Sequence, residues 1–320
     1  MRPWLLLLSF LSFLQPPPRA DLQVDVSLSN VSFTVRDRNG ALQPSLNQRD
    51  FTVLEDGVPQ QIRFFSRDFS LPLSLGILMD LSGSQDGLVA INISLARDFL
   101  RNILQPADSV FVAAFDSRIR LIQEFTSSVP DIEDAILHVR ERSKKAPVLG
   151  KGKGNASPVR EAIYLCTREK LKPVRGRKAP ILISDGNDNA SRVSVADTIE
   201  MLQSADTILY AVNPGTSALD KVAHVVSPTL LLYDRLTQHN HLQRISAESG
   251  GDHFKVRGID LKATYRRIED ELRTMYVLSY VSTNTNYDGK WRKVEIRPNL
   301  PGLVVRARLG YRAVSPRTVQ

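Results

Sequence analysis

The run Leu73-Ser74-Leu75-Gly76-Ile77-Leu78-Met79 is largely apolar and stops at Asp80-Leu81-Ser82-Gly83-Ser84. A short apolar run closed by turn residues reads as a strand buried on both faces, as in a parallel sheet covered by helices. The pentapeptide then falls on the loop at the strand's carboxyl end, where open α/β sheets hold their ligands. Its carboxylate and two hydroxyls, at alternate positions, form an all-oxygen set suited to Mg²⁺ or Mn²⁺. So short a string also arises by chance, and its surroundings must decide its meaning.

Those surroundings alternate strands with helices from about Leu71 to Lys255. Leu88, Ile91, Leu95, Phe99 and Ile103 form a helical stripe, with Ala96, Leu100 and Leu104 beside it. Ser109–Phe115 and Ile119–Ile122 are strands joined only by Asp116 to Arg118, a link too short for a crossover helix, so they must be antiparallel. Ser128, three residues before Asp131 and followed by Pro130, marks a helix start that leads into Ile132, Ala135, Ile136 and Val139. A Lys/Gly loop, Gly150 to Asn155, precedes a helix from about Pro158. Pro180–Ser184 is a second buried strand, and it ends at Asp185. A helix near Val195 to Ser204 and a strand at Thr207–Val212 follow. Asp80 and Asp185 both close strands that lead into helices, so both face one edge of the sheet. They converge there if the two strands are neighbours.

The flanks differ. Val24–Leu28 and Val31–Val35 alternate, Asn39-Gly40 marks a tight turn, and Phe51–Leu54 and Gln61–Phe65 flank a turn at Asp56-Gly57. Beyond an irregular stretch, Pro214 to Thr237, two helices are expected near His241–Glu248 and Leu261–Met275. Strands at Tyr276–Val281, Trp291–Ile296 and Leu303–Leu309 come next.

Met1-Arg2-Pro3, the apolar stretch Trp4 to Leu14 and the proline-rich Gln15 to Arg19 before Ala20 have the layout of an export signal. That apolar stretch is shorter than the ~20 residues needed to span a bilayer. The expectation is an exported protein, periplasmic or secreted, without an integral membrane segment once the leader is removed; an uncleaved anchor is the alternative. The formal net charge of +8 drops to +6 without Arg2 and Arg19, and its excess is dispersed. Nucleic acid is not expected as a partner; an acidic partner or anionic surface is compatible with the charge. Cys166 is the sole cysteine, so no internal disulfide can form, and its place in the pattern Val159, Ile163, Cys166 reads as a buried structural thiol.

With Asp80, Ser82 and Ser84 in a D-x-S-x-S string and Asp185 in Ile183-Ser184-Asp185-Gly186, the chain resembles the von Willebrand factor A (VWA) domain. The metal-ion-dependent adhesion site of that family takes a threonine from a second loop. Here Asn155-Ala156-Ser157-Pro158-Val159 aligns Ser157 with it. Ser157 keeps the hydroxyl but has a freer rotamer than threonine, and Lys151 and Lys153 nearby oppose a cation. Phe51–Gln60, Gly176-Arg177-Lys178, Gly250-Gly251, Tyr276–Tyr280 and Gly310-Tyr311 are similar to segments of the VWFA-related proteins of acidobacteria.

The resemblance implies a doubly wound, mostly parallel α/β sheet with one antiparallel edge strand and small flanking β segments. The expected division is a leader at 1–20, a β segment at 21–68, a VWA domain at 69–258 and a helix-plus-β segment at 259–320. The terminal segments are expected either to pack together or to stand as separate appendages. The implied metal ligands are Asp80, Ser82, Ser84, Ser157 and Asp185, and the implied function is adhesion-type binding of an Asp or Glu of a partner protein. Helix capping is the plainer role for Asp80, Asp185 and Ser157. A degenerate site on a scaffold of an envelope assembly is the alternative function. Asp86 and Asp188 fit supporting or solvent-facing roles, and His239-Asn240-His241 lacks a third zinc ligand. Hydrolase readings fail on the residues. Ser82 stands where a dehalogenase-like phosphotransferase needs a second carboxylate, no G-x-S-x-G occurs, and Gly150–Gly154 lacks phosphate-loop spacing and reads as a flexible basic rim.

Overall fold

Every residue of the strand Leu73–Asp80 is buried, and so is every residue of Arg177–Ile183. Such burial requires a neighbour on each edge and cover on each face. The computed structural model describes residues 28–67, 72–82, 97, 99–154, 156–188, 190–213, 240–256 and 260–314. The leader, Ser84, Asp86, His239, most of the 88–104 stripe and the stretch 214–237 lie outside the described residues.

The strands are, in chain order, β1 (Leu28–Asp37), β2 (Phe51–Glu55), β3 (Val58–Gln60), β4 (Ile62–Ser66), β5 (Leu73–Asp80), β6 (Ser109–Phe115), β7 (Arg118–Thr126) and β8 (Val148–Lys151). They continue with β9 (Arg177–Ile183), β10 (Tyr210–Asn213), β11 (Asp252–Lys255), β12 (Tyr276–Val281), β13 (Trp291–Pro298), β14 (Leu303–Ala307) and β15 (Gly310–Arg312). The central sheet has the order β11-β10-β9-β5-β6-β7-β8. Its pairs are parallel except β6–β7 and β7–β8. The protein is therefore α/β, with a mostly parallel central sheet and antiparallel sheets beside it.

Period-two alternation splits the central core in two. Leu73, Leu75, Ile77 and Met79 point to one face, onto Ile132, Ala135 and Ile136 of the helix Val129–Leu137 and Ile268 and Leu272 of the helix Asp260–Arg273. Leu78, Phe111 and Leu182 meet the other face. There they pack on Val159, Ala162 and Ile163 of the helix Val159–Cys166 and on Ile199 and Leu202 of the helix Val195–Ser204. Ser128 caps its helix as its spacing predicts, accepting the Asp131 N–H. Cys166 is fully buried, and burial pushes its thiol up to about 12. No helix among the described residues is long and apolar enough to cross a membrane.

Three local expectations are corrected, and one unforeseen strand is added. The antiparallel strand β7 is not at the edge, because Val148–Lys151 adds β8 outside it. Asp252–Lys255 extends the other edge as β11. Both additions are four residues long and largely unburied, so neither shows an apolar alternation that a sequence could reveal. The turn at Asp56 (φ 49°) and Gly57 (φ 83°) joins β2 to β3; β4 crosses instead to β12. The Leu303–Leu309 strand ends at Ala307, and Gly310–Arg312 pairs separately with β13.

The two ends of the chain meet in two four-stranded antiparallel sheets, β14-β1-β12-β4 and β15-β13-β2-β3. They share one core, in which Phe33 meets Phe51 edge-on at 5.1 Å and stacks on Tyr276 at 5.2 Å.

Candidate functional site

Strand order brings the acidic loops together. From β5 the chain moves outward through β6, β7 and β8, then returns to the other side of β5 and moves outward again through β9, β10 and β11. The reversal lies between β5 and β9, and a crevice opens at the carboxyl ends of strands at such a point. The β5–β9 register pairs Met79 with Ile183, so Asp80 stands level with Ser184.

Asp80 is only 4% exposed. Its Oδ2 accepts the Ser184 hydroxyl at 2.7 Å, and its Oδ1 accepts the Ser82 N–H at 2.9 Å and the Ser157 hydroxyl at 3.4 Å. Three separate loops therefore place a hydroxyl or N–H on one carboxylate. Among the described residues no Lys, Arg or His pairs with it. Burial holds its carboxyl up at about 6, above the ordinary 3.8. The Ser82 N–H and Ser184 hydroxyl pull it down, and the Asp185 charge pushes it up. Placed among hydroxyls, a buried carboxylate keeps hydrogen bonds but lacks a counter-charge.

Of the residues singled out in the sequence, Asp80, Ser82 and Ser157 come together, and Ser84 is outside the described residues. Asp185 lies one residue beyond the Asp80 level. It acts on Asp80 through charge, while its Oδ1 accepts the Asn187 N–H at 3.0 Å. Ser184 is the residue that sequence reasoning missed. Laterally paired residues of parallel strands share a face, so the β5–β9 register would have found it.

Asp188 has a different task. Buried, it accepts the Arg160 N–H at 2.8 Å and the Ser191 hydroxyl at 2.8 Å, and it pairs with the Arg160 guanidinium at 3.0 Å. It thus satisfies an open N–H in the first turn of the helix Val159–Cys166 from another loop, a place that favours negative charge. That anchors the helix behind Ser157.

The Lys/Gly segment is not a flexible rim where it passes the site. Gly152 donates its N–H to Ser117 and Lys153 donates to Ala190. A Cβ on Gly152 would sit 2.8 Å from Pro158 Cβ and 2.9 Å from Ala190 Cβ. The close approach demands glycine and wedges this segment against the residue after Ser157. Lys151 and Lys153 are exposed.

The donor chemistry can be tested against a divalent cation. No group of three or more His, Cys, Asp or Glu side chains gathers among the described residues, so a soft or carboxylate-rich centre is not formed by them. What gathers is one buried carboxylate, hydroxyls of Ser82, Ser157 and Ser184, and a second carboxylate close enough to be felt. Oxygen-only donors of low charge suit a hard ion that keeps several waters. The residues fit such an ion.

No protein-family model and no curated protein matches the chain. Among solved structures, an aerotolerance-related membrane protein from Bacteroides fragilis aligns with a TM-score of 0.45 and 13% identity, over 62% of this chain and 98% of that one. BatB from Bacteroides thetaiotaomicron aligns with a TM-score of 0.43 and 13% identity, over 62% and 97%. Proximal thread matrix protein 1 from the mussel byssus, with a zinc-occupied MIDAS motif, aligns with a TM-score of 0.44 and 15% identity, over 69% of this chain and 50% of that one. Likeness of this degree carries no functional argument; the strand order and the Asp80 geometry stand on their own.

Proposed function

We propose that the chain is an exported binding module of the VWA type, whose Asp80 cluster holds Mg²⁺ or Mn²⁺ and presents it to an Asp or Glu of a partner protein. Asp80, Ser82 and Ser157 would hold the ion, with Ser84 and Asp185 completing the set directly or through water. The observation that carries this reading is a carboxylate buried at the sheet's switch point, ringed by hydroxyls from other loops and met by no cation among the described residues. A bound divalent ion would supply the missing counter-charge. With few protein carboxylates around it, such an ion stays attractive to an incoming one. Ser184 orients the Asp80 carboxylate from the side, and Asp188 and Gly152 fix the segments that flank Ser157. The residues are read as binding rather than catalytic, with Asp80 held by the hydroxyls of Ser157 and Ser184.

Calorimetric titration of Mg²⁺ and Mn²⁺ into metal-stripped protein tests the reading, beside Asp80→Ala. Saturable binding that disappears in the variant is the expected result. Folded wild-type protein that takes up neither ion would overturn it in favour of a scaffold with a degenerate site.

A further inference from the structure

A second cluster lies at the opposite edge of the central sheet, where the amino ends of its strands meet the terminal sheets. A cleft of about 430 Å³ opens there between the start of β9, the end of the helix Val195–Ser204 and strands β1, β12, β13 and β15. Five cations line it: Lys172, Lys178, Arg292, Arg308 and Arg312. Two are answered by carboxylates, Arg292 by Glu55 at 3.2 Å and Arg312 by Glu200 at 2.6 Å.

The other three are not. Lys178 is 9% exposed, and among the described residues its ammonium finds only the Val174 carbonyl at 3.3 Å. Arg308 is 8% exposed; its guanidinium donates to the carbonyls of Gln203 and Asn30, and its buried Nε–H has no partner. Lys172 reaches only the Ser204 hydroxyl, at 3.5 Å. None of the three forms an ion pair within 4 Å of a carboxylate among the described residues. They are also close enough to repel one another. Burial lowers the Lys178 pKa, Asp206 opposes that, and the charges of Arg308 and Lys172 lower it further.

Holding like charges together in a partly buried cleft costs free energy unless an anion offsets it. Elsewhere in the protein clustered cations meet carboxylates directly. Arg36, Arg267 and Arg306 gather around the buried Glu271, and Asp252 pairs with two of them. In the cleft, three cations face one acid, Asp206, and two positive charges stay unmatched. A phosphate group carries a matching charge of roughly −1.5 to −2 at neutral pH and several strong acceptor oxygens. The space exceeds a bare anion, and the exposed Tyr287 supplies ring surface for the rest of a small molecule.

We propose that this cleft binds a phosphate group, as inorganic phosphate or on a small phosphomonoester, through Lys178, Lys172 and Arg308. The site is independent of the Asp80 cluster, so it stands whether or not that cluster holds a cation.

The test is calorimetry and thermal melting of the full chain with inorganic phosphate and, separately, with phenyl phosphate, against sodium chloride at equal ionic strength. Saturable binding is expected for at least one phosphate probe, unchanged in Asp80→Ala. Tighter binding of phenyl phosphate would mark a phosphomonoester site, and equal or tighter binding of inorganic phosphate a free-phosphate site. Lys178→Met keeps the buried stem and removes the charge; it should weaken binding by about tenfold or more. Lys172→Gln, at an exposed position that does not threaten folding, should weaken it severalfold. A phosphate effect no larger than that of chloride, or affinity unchanged in both lysine variants, would overturn the proposal.

Discussion

Two buried carboxylates divide this molecule. Glu55, between the terminal sheets, is 2% exposed and fully answered: Tyr280 and Tyr311 each donate to it at 2.8 Å, Ser282 donates as well, and Arg292 pairs with it. Asp80 is buried almost as deeply, yet among the described residues hydroxyls and one backbone N–H are all that meet it, and no cation does. Some buried carboxylates come with a counter-charge, and others are left without one where a ligand can supply it. Glu55 has the first character and Asp80 the second.

The contrast can be broken hardest at Glu55. Replacement by Gln strands the Arg292 charge, 3% exposed, and should cost about 3 kcal/mol or more. The urea midpoint would fall with an unchanged slope. A loss within experimental error would mean that Arg292 is sufficiently held by its carbonyl partners, Asn284 and Asn286.

Asp80→Asn should act in the opposite direction. The folded carboxyl titrates at about 6 against 3.8 in the unfolded chain, so its contribution is fully present below 3.8 and is lost as pH rises through 6. Without divalent ions, Asp80→Asn should therefore stabilise the protein at pH 7 by roughly 2–3 kcal/mol. Below the unfolded pKa the gain should vanish. Stability profiles measured across that pH range that run parallel in wild type and variant would contradict the assignment.

Ser184→Ala gives the smallest and most pointed effect. Losing its hydrogen bond should raise the Asp80 pKa further and lower stability at neutral pH by about 1 kcal/mol. Carboxyl NMR titration of Asp80 reads the first change directly. An unmoved titration would show that register alone, and not the Ser184 hydroxyl, sets the pairing.

Much of this was legible locally. Leu73–Met79 and Pro180–Ile183 announce buried strands by composition, Ser128 announces a helix start, and the brief Asp116–Arg118 link forces β6 and β7 antiparallel. Asp80 and Ser82 could be named from motif and loop position, and Ser157 only through the resemblance to the VWA domain. What escaped depends on pairs distant in sequence. Ser184 matters because of the β5–β9 register, Asp188 because its loop reaches a helix cap more than one element away, and Gly152 because Pro158 and Ala190 crowd it. The four-residue edge strands escaped for another reason: too little of them is buried to leave an apolar pattern.

Strand pairing also sets an order of events. Leu28 pairs with Val281, Phe51 with Pro298, and Ser66 with Val277. A chain emerging amino end first holds β1, β2 and β4 with their main partners still unmade, while the whole central sheet can assemble behind them. Closing so long a loop comes late and is slow. During that wait Phe33, Phe51 and Phe65 lack Tyr276, the ring that all three meet in the finished sheets. The interval between synthesis of the first and last strands is thus the period of greatest exposure to aggregation, and the time at which a holding chaperone would matter most.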